Sequence, residues 1–378
     1  MTRFARSTIL LLLAATSLPA RELAAQERLP PVIDPGLGEQ AIPYGEPGQA
    51  VEPEPPPSAS YPPRRAGGGG FGSGGPGGGL GMGGPGGPMG GAPGYEATWY
   101  PAQDVSGQPT DLGLVRQSLS FGAPLWMGET DMVMASLSFR NSLFFTDAIL
   151  PDSLRAFPDQ LTSVNFGLNY MRQFDNGWSG GLMGGFGSAS DKPFHSMDEM
   201  TANIGGFLRV PARNGRDSWQ FMLMYMYGGP INFPIPMLAY AWNPSEQLRV
   251  NIGLPFSVAW QMSDDLLLNL SYMPLNNINA RLTWSIAPSL QVYGGYEFLN
   301  ESYFLIDRVE TDDRFFAFEQ RLITGLRWNF WRNANFELHA GYSFGRNYGE
   351  GSSQWSSLSD QVDVDPGPFV GMSLRWRF

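Results

Sequence analysis

The two histidines, His195 and His339, are the side chains of this sequence that ordinarily move protons near neutral pH. His195 lies in a polar stretch with acidic residues at positions 191, 198 and 199, a group that suits either a weak cation site or a solvated loop, and we expect the loop. His339 lies two residues after Glu337, and no recognisable nucleophile stands beside either histidine. Acid–base and nucleophilic catalysis lack their usual partners, so we expect no enzyme activity.

Residue counts exclude other kinds of site. The chain has no cysteine, which excludes disulfides, thiolate nucleophiles and cysteine-ligated zinc, and two histidines cannot form a multi-histidine metal site. Its 35 acidic and 24 basic side chains give a net charge of −11, which argues against nucleic-acid binding. We therefore expect no cofactor, no metal and no nucleic-acid partner.

Many charged residues occupy one face of segments in which apolar and polar side chains alternate. In residues 163–170, for example, Val164, Phe166 and Leu168 alternate with small polar residues. This period of two is typical of β-strands with unlike faces, and it recurs from about residue 95 to residue 378. The charged residues that we expect to line an interior are Arg281, Glu297, Glu319, Arg321, Arg327, Glu337, His339 and Arg375.

Alternation alone fits both a soluble β-sandwich, whose polar face meets bulk water, and a membrane barrel, whose polar face lines a lumen. The connections favour the barrel, because short turns that alternate with long loops are typical of a barrel inserted from one side. Short turns are expected at residues 175–177, 262–265, 287–289 and 332–334, and long polar loops at 190–199, 300–314 and 346–366.

Tryptophan placement also favours a membrane barrel. Indole partitions to the headgroup level of a bilayer, so tryptophans gathered at one end of a barrel are expected to form an aromatic girdle at the periplasmic interface. Six tryptophans lie on apolar faces within a few residues of a predicted short turn: Trp178, Trp219, Trp242, Trp260, Trp284 and Trp328.

The last strand, residues 369–378, resembles the C-terminal assembly signal of bacterial outer-membrane barrels, which the barrel-assembly machinery reads and which ends in phenylalanine. Its apolar face includes Met372, Leu374, Trp376 and Phe378. We therefore predict an all-β fold, a transmembrane antiparallel up-and-down β-barrel with about 14 strands, within a range of about 12 to 16.

Two stretches leave the strand count open. Arg140–Asn141 is either a turn or the middle of a strand. Around Pro255 the apolar face continues in phase, which favours one long strand, but proline removes a ladder donor and favours a tight turn.

Short motifs resemble a bacterial family of uncharacterised outer-membrane barrels. They are Leu254-Pro255-Phe256, the turn from Tyr240 to Pro244, and a Pro/Gly-rich tether that precedes the strands. The resemblance covers about residues 110–378. The resemblance implies the fold and an outer-membrane location, but it implies no activity and no site residues for this chain.

The N-terminal part of the chain predicts export. Within residues 1–25, Arg3 and Arg6 precede an apolar run at 9–15 and then small residues, which indicates a cleaved secretory signal, and the lack of cysteine excludes a lipid anchor. Residues 26–95 are rich in proline and glycine, which predicts a disordered linker in the periplasm. The barrel is expected over residues 96–378.

One stripe departs from the alternation. Opposite the aromatic residues of 219–227, where polar side chains are expected, lie Met222, Met224 and Met226. Methionine adapts to irregular apolar surfaces. We expect these residues to pack against a loop or the linker, and a lumenal pocket for apolar compounds is the alternative.

The mixed charge of the inward face favours a pore or passive transport channel for small solutes. The alternative is a non-conducting structural barrel that anchors the envelope or displays surface loops, with its linker in the periplasm. Expected partners are outer-membrane lipids and lipopolysaccharide, the assembly machinery through the last strand, and the cell wall through the linker. The solute and the oligomeric state are left open.

Overall fold

The computed structural model describes residues 93–229, 233–273, 277–331, 333–354 and 357–376. The predicted signal peptide, nearly all of the predicted linker and Phe378 lie outside these residues. Within the described part of the chain, no helix is long and apolar enough to cross a membrane.

Seventeen β-strands make up most of the described chain. They are β1 (Gly94–Asp104), β2 (Asp111–Met127), β3 (Asp131–Thr146), β4 (Gln160–Gln173), β5 (Ser179–Ser190), β6 (Met200–Pro211), β7 (Ser218–Tyr227), β8 (Ile235–Trp242), β9 (Leu248–Gly253), β10 (Phe256–Ser263), β11 (Leu266–Met273), β12 (Asn277–Ala287), β13 (Leu290–Tyr303), β14 (Arg314–Trp331), β15 (Ala334–Gly351), β16 (Ser359–Val364) and β17 (Gly367–Trp376). A single 3₁₀ turn, Met197–Glu199, precedes β6.

Antiparallel pairing joins the strands into a closed ring. Each strand from β1 to β15 pairs with the next, β15 also pairs with β17, and β17 pairs with β1. β16 is outside the ring, because it pairs with the part of β15 that extends beyond β17. The ring therefore has 16 strands. The predicted all-β antiparallel barrel is confirmed, and its strand count lies at the upper end of the predicted range.

The two ambiguous stretches are resolved by the strand pairing. Arg140 and Asn141 lie in the middle of β3, paired with β4. Leu254 and Pro255 form the tight connection between β9 and β10, so this region contains two short strands rather than one long strand. Proline is accommodated because a turn position requires no ladder donor.

Two of the predicted long loops are shorter than expected. β13 continues through Tyr303 and β15 through Gly351, and both remain paired with β14 over that length. The predictions of loops over 300–314 and 346–366 were therefore wrong in extent. The alternation of apolar residues ends before the backbone pairing with β14 does, because the loop-end parts of these strands pack against protein instead of lipid.

The two ends of the ring carry different connections. Pro93 and Trp376 lie together at one end, where the carbonyl oxygen of Pro93 accepts a hydrogen bond from the Trp376 N–H at 2.9 Å. We call this the turn end, since it holds the short connections 128–130, 174–178, 212–217, 243–247, 264–265 and 288–289. The loop end holds the connections 105–110, 147–159, 191–199, 304–313 and 352–358 among others.

The outward faces of the strands are apolar and exposed. Leu168 on β4, Leu182 on β5 and Leu322 on β14 are each more than half exposed, at 55%, 63% and 54%. Their neighbours along each strand point inward, as the pleat requires. An apolar belt around a closed ring is suited to contact with the hydrocarbon of a bilayer.

The wall of the ring is uneven in height. β14 and β15 have 18 residues each, whereas β9 has 6 and β10 and β11 have 8 each. At about 3.3 Å per residue and a tilt of about 40°, a six-residue strand rises only about 15 Å, against an apolar band of about 25 Å. The wall is therefore low along β9 to β11, at the loop end.

Asp217 joins two neighbouring connections at the turn end. Its carboxylate accepts hydrogen bonds from the Asn243 N–H at 2.7 Å, from Asn214 Nδ2 at 2.7 Å and from the Tyr240 hydroxyl at 2.8 Å. The bond from the Asn243 backbone, followed by those from Asn214 and Tyr240, lowers the pKa of Asp217. A carboxyl with a lowered pKa contributes stability above its unfolded pKa and loses it as the pH falls through its folded pKa.

We therefore expect the Asn243 amide to lose protection against hydrogen exchange as the pH falls below 3.8, the ordinary pKa of an aspartate. In Asp217→Asn the protection should already be low at neutral pH. Asp264→Asn, which alters an exposed acid in another short connection, is the matched control and should leave Asn243 protected. Equal protection factors in Asp217→Asn and in the unmodified protein would contradict this role.

Candidate functional site

The interior of the ring is divided, because two opposite walls touch at the loop end. β5 and β13 have seven strands between them in either direction around the ring. Nevertheless Ser190, at the end of β5, forms a β-bridge with Phe304, which follows β13. The Phe304 N–H donates to the Ala189 carbonyl at 2.8 Å, and the Asp191 N–H donates to the Phe304 carbonyl at 3.3 Å.

This contact separates two halves of the interior. The packed half is bounded by β14, β15, β17 and β1 to β4. The polar half is bounded by β6 to β12. Asp191 strengthens the division, since its carboxylate also accepts the N–H of Ile306 at 3.0 Å. Asp191, which the sequence pattern predicts in a solvated loop, therefore holds the two walls together.

An aromatic core fills the loop end of the packed half. Its centre is Phe157, from the 147–159 connection, which is only 3% exposed and lies inside the ring. The Phe157 ring meets Phe144, Tyr348 and Phe315 edge-on, with centroid distances of 5.1, 5.2 and 5.6 Å. The connection thus folds back into the barrel and closes this half.

Arg155 ties the same connection to the rest of the loop end. Its guanidinium contacts Glu350 at 2.6 Å, Asp307 at 3.0 Å and Asp360 at 3.3 Å. Burial opposes the charge of this group, but the hydrogen bond and charge of Glu350, with Asp307 and Asp360, raise the pKa of Arg155 above its ordinary value. Asp360 also accepts the N–H groups of Asp152 and Ser153, each at 2.8 Å.

Glu297, on β13, is the centre of a buried charge network below the aromatic core. One of its carboxylate oxygens accepts from Arg321 at 2.6 Å, and the other accepts from Arg281 at 3.1 Å and from Asn279 at 3.0 Å. Glu297 is 2% exposed and Arg321 is 1% exposed. Charges this deeply buried require such pairing.

A second acid extends the network toward the turn end. Glu337, on β15, accepts from Arg327 at 2.9 Å and from the Tyr293 hydroxyl. Arg281 lies 3.7 Å from Glu337 and packs over the Tyr293 ring, 4.1 Å from its centroid. Glu297 and Glu337 therefore share Arg281.

Further ion pairs cross the packed half between strands that are not neighbours. Arg116 on β2 contacts Glu319 on β14 at 3.0 Å, and Arg140 on β3 contacts Glu301 on β13 at 2.6 Å. Glu319 also accepts from the Ser343 hydroxyl at 2.9 Å. These contacts place the charges inside the barrel, because outward-facing side chains on two strands that are not neighbours could not reach each other.

The remaining predicted interior residues have separate partners. Arg375 lies 3.8 Å from Glu96. His339 is 2% exposed, and its Nε2 lies 3.4 Å from the Thr98 hydroxyl. His195 is exposed in the 191–199 connection, far in sequence from this network, and its N–H donates to Glu199 at 3.2 Å. The structure thus brings all eight predicted interior residues into buried or partly buried contacts and leaves His195 apart.

Several members of the network are not among the eight predicted interior residues. Arg116, Arg140 and Glu301 occupy the inward positions of their strands, so alternation could have identified them. Glu301 was assigned to a loop, and Glu96 lies beside the predicted linker boundary, three residues after the first described residue. Their pairing across the barrel leaves no local pattern in the sequence.

The six predicted girdle tryptophans are all exposed. Their exposed fractions are 39% for Trp178, 43% for Trp219, 42% for Trp242, 42% for Trp260, 55% for Trp284 and 50% for Trp328. Each lies in a connection of the turn end or within four residues of one. The function of these residues as an interface girdle stays a prediction, as does that of the last strand as an assembly signal.

The polar half is more accessible than the packed half. On β9 and β11, the inward-facing Arg249 and Ser271 are exposed, and Asn251 and Asn269 are half-buried. Water therefore reaches this face. In the packed half, the inward residues Ser120 and Ser138, on the turn-end side of the charge network, are exposed in the same way.

An apolar patch lies at the loop end of the polar half. Met224, Met226 and Met237 are buried to 5%, 7% and 5% exposure and pack with Met183, Met222 and Ile235. All six come from β5, β7 and β8, and we call them the methionine patch. The methionines were expected to pack against a loop or the linker, but the described residues of this patch all lie in strands.

Among the described residues, no group of three or more histidine or acidic side chains is arranged to hold a metal ion. The acids near His195 illustrate why, since Asp191 and Glu199 accept backbone N–H groups.

The chain has distant structural counterparts among solved proteins, and a search of curated proteins finds no significant match. It is similar to the β-domain of the Bordetella autotransporter Brka, at 12% identity over 76% of this chain and 99% of that chain, with a TM-score of 0.28. It is also similar to the COG4313 outer membrane channel from Pseudomonas putida F1, at 7% identity over 75% and 95% of the two chains, with a TM-score of 0.31. It is similar as well to the Pseudomonas putida toluene transporter TodX, at 10% identity over 77% of this chain and 90% of that chain, with a TM-score of 0.32.

These scores are low, and the barrel described above rests on its own strand pairing. The sequence comparison is more specific and covers residues 151–377, which extend from the 147–159 connection through β17. The chain belongs to the family described as a domain of unknown function, DUF6268.

Proposed function

We propose that this protein is a bacterial outer-membrane barrel that acts as a narrow diffusion channel for small polar solutes, with its route along the polar half of the interior. The observation that carries the proposal is the accessibility of inward polar residues on β9 to β11, including Arg249, Asn269 and Ser271. Inside a closed ring, such side chains are accessible only where water occupies the interior. Their amide, hydroxyl and guanidinium groups suit hydrated solutes.

The outer-membrane location is supported by the exposed apolar belt, since a soluble protein would not leave this area uncovered. We place the turn end toward the periplasm, where short connections and the exposed tryptophans are usual. Membrane lipids and lipopolysaccharide are then the partners of the outer face. The proposed role is not enzymatic, because the burial of His339 keeps substrates away from that side chain.

The second candidate is a non-conducting structural barrel. One observation favours it: the β5–β13 contact and the aromatic core close the packed half at the loop end. If the polar half is closed as well, no solute passes. The protein would then anchor or display its loops.

Single-channel recording of the full chain in planar bilayers separates the two candidates. We expect stepwise conductance, reduced by at least half in Asn269→Trp, because the indole projects into the polar half. The matched control is Leu268→Trp, one residue earlier on the outward face, which should conduct normally. An intact, heat-modifiable barrel that never conducts would overturn the channel and favour the structural barrel.

A further inference from the structure

The low wall along β9 to β11 leaves the outer half of β8 with no described strand on one side. β9 pairs with β8 only over Ala239–Trp242, with one further hydrogen bond from the Leu254 N–H to the Leu238 carbonyl at 3.0 Å. Beyond Leu238, the residues Ile235, Pro236 and Met237 pair with β7 on one side and with no described strand on the other. We call this opening, between the outer half of β8 and the top of the β9–β10 hairpin, the notch.

The edge of β8 is built to remain unpaired. Residues 234, 236 and 238 direct their backbone groups to the same side, and the Leu238 carbonyl shows that this side faces the notch. Positions 234 and 236 are both proline, which has no N–H. The edge therefore presents no unsatisfied N–H group at these two positions. A strand edge exposed to hydrocarbon must avoid such groups, because no water is present to accept their hydrogen bonds.

The interior surface beside the notch is apolar, unlike the surface below it. The methionine patch lies at this level, with Ile235 and Met237 on β8 itself and Met222, Met224 and Met226 on the paired strand β7. At the level of the low hairpins, the inward residues are polar, as at Asn251 and Asn269. The change from polar to apolar lining thus coincides with the missing wall.

An open, mostly apolar groove crosses β5 to β8 and reaches the edge of the notch at Pro236 and Met237. Its volume is about 660 Å³, and inward Met222 and Met237 line it together with outward Leu223 and Leu238. Gly181 and Gly206 contribute to it without side chains. Flexible thioethers adapt to alkyl chains of varied shape, which branched or polar residues do less well.

We propose that the notch is a lateral opening through which an alkyl chain passes between the membrane hydrocarbon and the interior of the barrel, where the methionine patch binds it. The chain is either the acyl tail of a lipid or a free aliphatic molecule dissolved in the membrane. This role is separate from conduction along the polar half and does not depend on it.

The test uses the absence of cysteine from the sequence, because a single introduced cysteine takes a label at one site. Met224→Cys is labelled with bimane in the full chain before refolding into liposomes. Two quenchers are compared: phospholipids brominated in the middle of the acyl chain, and 1-bromododecane in liposomes of ordinary lipids. Leu223→Cys, outward on the same strand, is the positive control, and Ser138→Cys, inward in the packed half, is the negative control.

We expect at least one quencher to reduce the Met224 signal by half or more, approaching its effect at Leu223. Quenching by the lipid alone identifies an acyl tail, and quenching by 1-bromododecane alone identifies a free aliphatic molecule; both support the proposal. Quenching at Met224 no greater than at Ser138 with either reagent overturns it. If labelled Met224→Cys does not fold, as judged by heat-modifiability, half-buried Met222→Cys takes the same test.

The patch itself is tested by Met224→Gln/Met237→Gln, which nearly conserves volume, with the label at Met222. We expect the concentration of 1-bromododecane or brominated lipid needed for half-quenching to rise at least threefold. An unchanged value would show that the patch does not bind the chain. The readout requires no ion current, so its failure and the failure of the channel are distinguishable.

Discussion

Phe157→Ala should release the 147–159 connection from the barrel and increase its cleavage by trypsin at Arg155 by about 100-fold or more. The Phe157 ring is nearly inaccessible and contacts three other aromatic rings at the loop end. Removing a buried phenylalanine typically costs about 3 to 5 kcal/mol, and each 1.4 kcal/mol corresponds to about tenfold in an opening equilibrium. Cleavage reports that equilibrium when opening is fast relative to proteolysis.

The same substitution should raise single-channel conductance, because the packed half loses the residue that closes its loop end. Phe145→Ala is the matched control, since Phe145 lies outward near the end of β3 and is 61% exposed. It should change neither cleavage nor conductance measurably. Equal cleavage rates in the two variants would show that the connection is held by Arg155 and its acids rather than by the aromatic core.

Glu297→Gln should destabilise the barrel by about 3 to 5 kcal/mol, as measured by urea unfolding in lipid vesicles. The substitution keeps the size of the side chain but leaves Arg281 and Arg321 without the carboxylate that both contact. A buried charge that loses its partner retains its full cost of desolvation. Glu337 lies 3.7 Å from Arg281 and offsets part of that cost.

Glu310→Gln, in an exposed connection at the loop end, is the control and should change stability by less than about 0.5 kcal/mol. The double variant Glu297→Gln/Arg321→Met should recover part of the loss, because one uncompensated charge is gone. If Glu297→Gln unfolds with the same midpoint as Glu310→Gln, the network is solvated and contributes little to the fold.

Much of the barrel could be predicted from the sequence because the governing pattern is local. A strand that faces lipid on one side and an interior on the other must alternate with a period of two, and the inward positions from Arg281 to Arg375 follow from this rule. The strand count was less certain. Pro255 was compatible with either a strand or a turn until the pairing of β9 with β10 was known.

The contents of the interior could not be predicted in the same way. Arg140 and Glu301 are 161 positions apart, and nothing near either residue indicates the other. Their contact depends on the walls approaching across the lumen, which is decided by Ser190 and Phe304 at the loop end. Alternation predicted a lumen lined with charge, whereas the structure has a packed half and a polar half.

The sequence by itself determined the all-β character of the chain, most inward and outward faces and the family, since these depend on residues a few positions apart or on motifs along the chain. Only the tertiary structure decided which inward side chains meet, where the lumen is closed and where the wall is low. The physical reason is that the cross-section of a closed sheet is set by contacts between distant strands. Those contacts place Glu297 between two arginines and leave the methionine patch beside the notch.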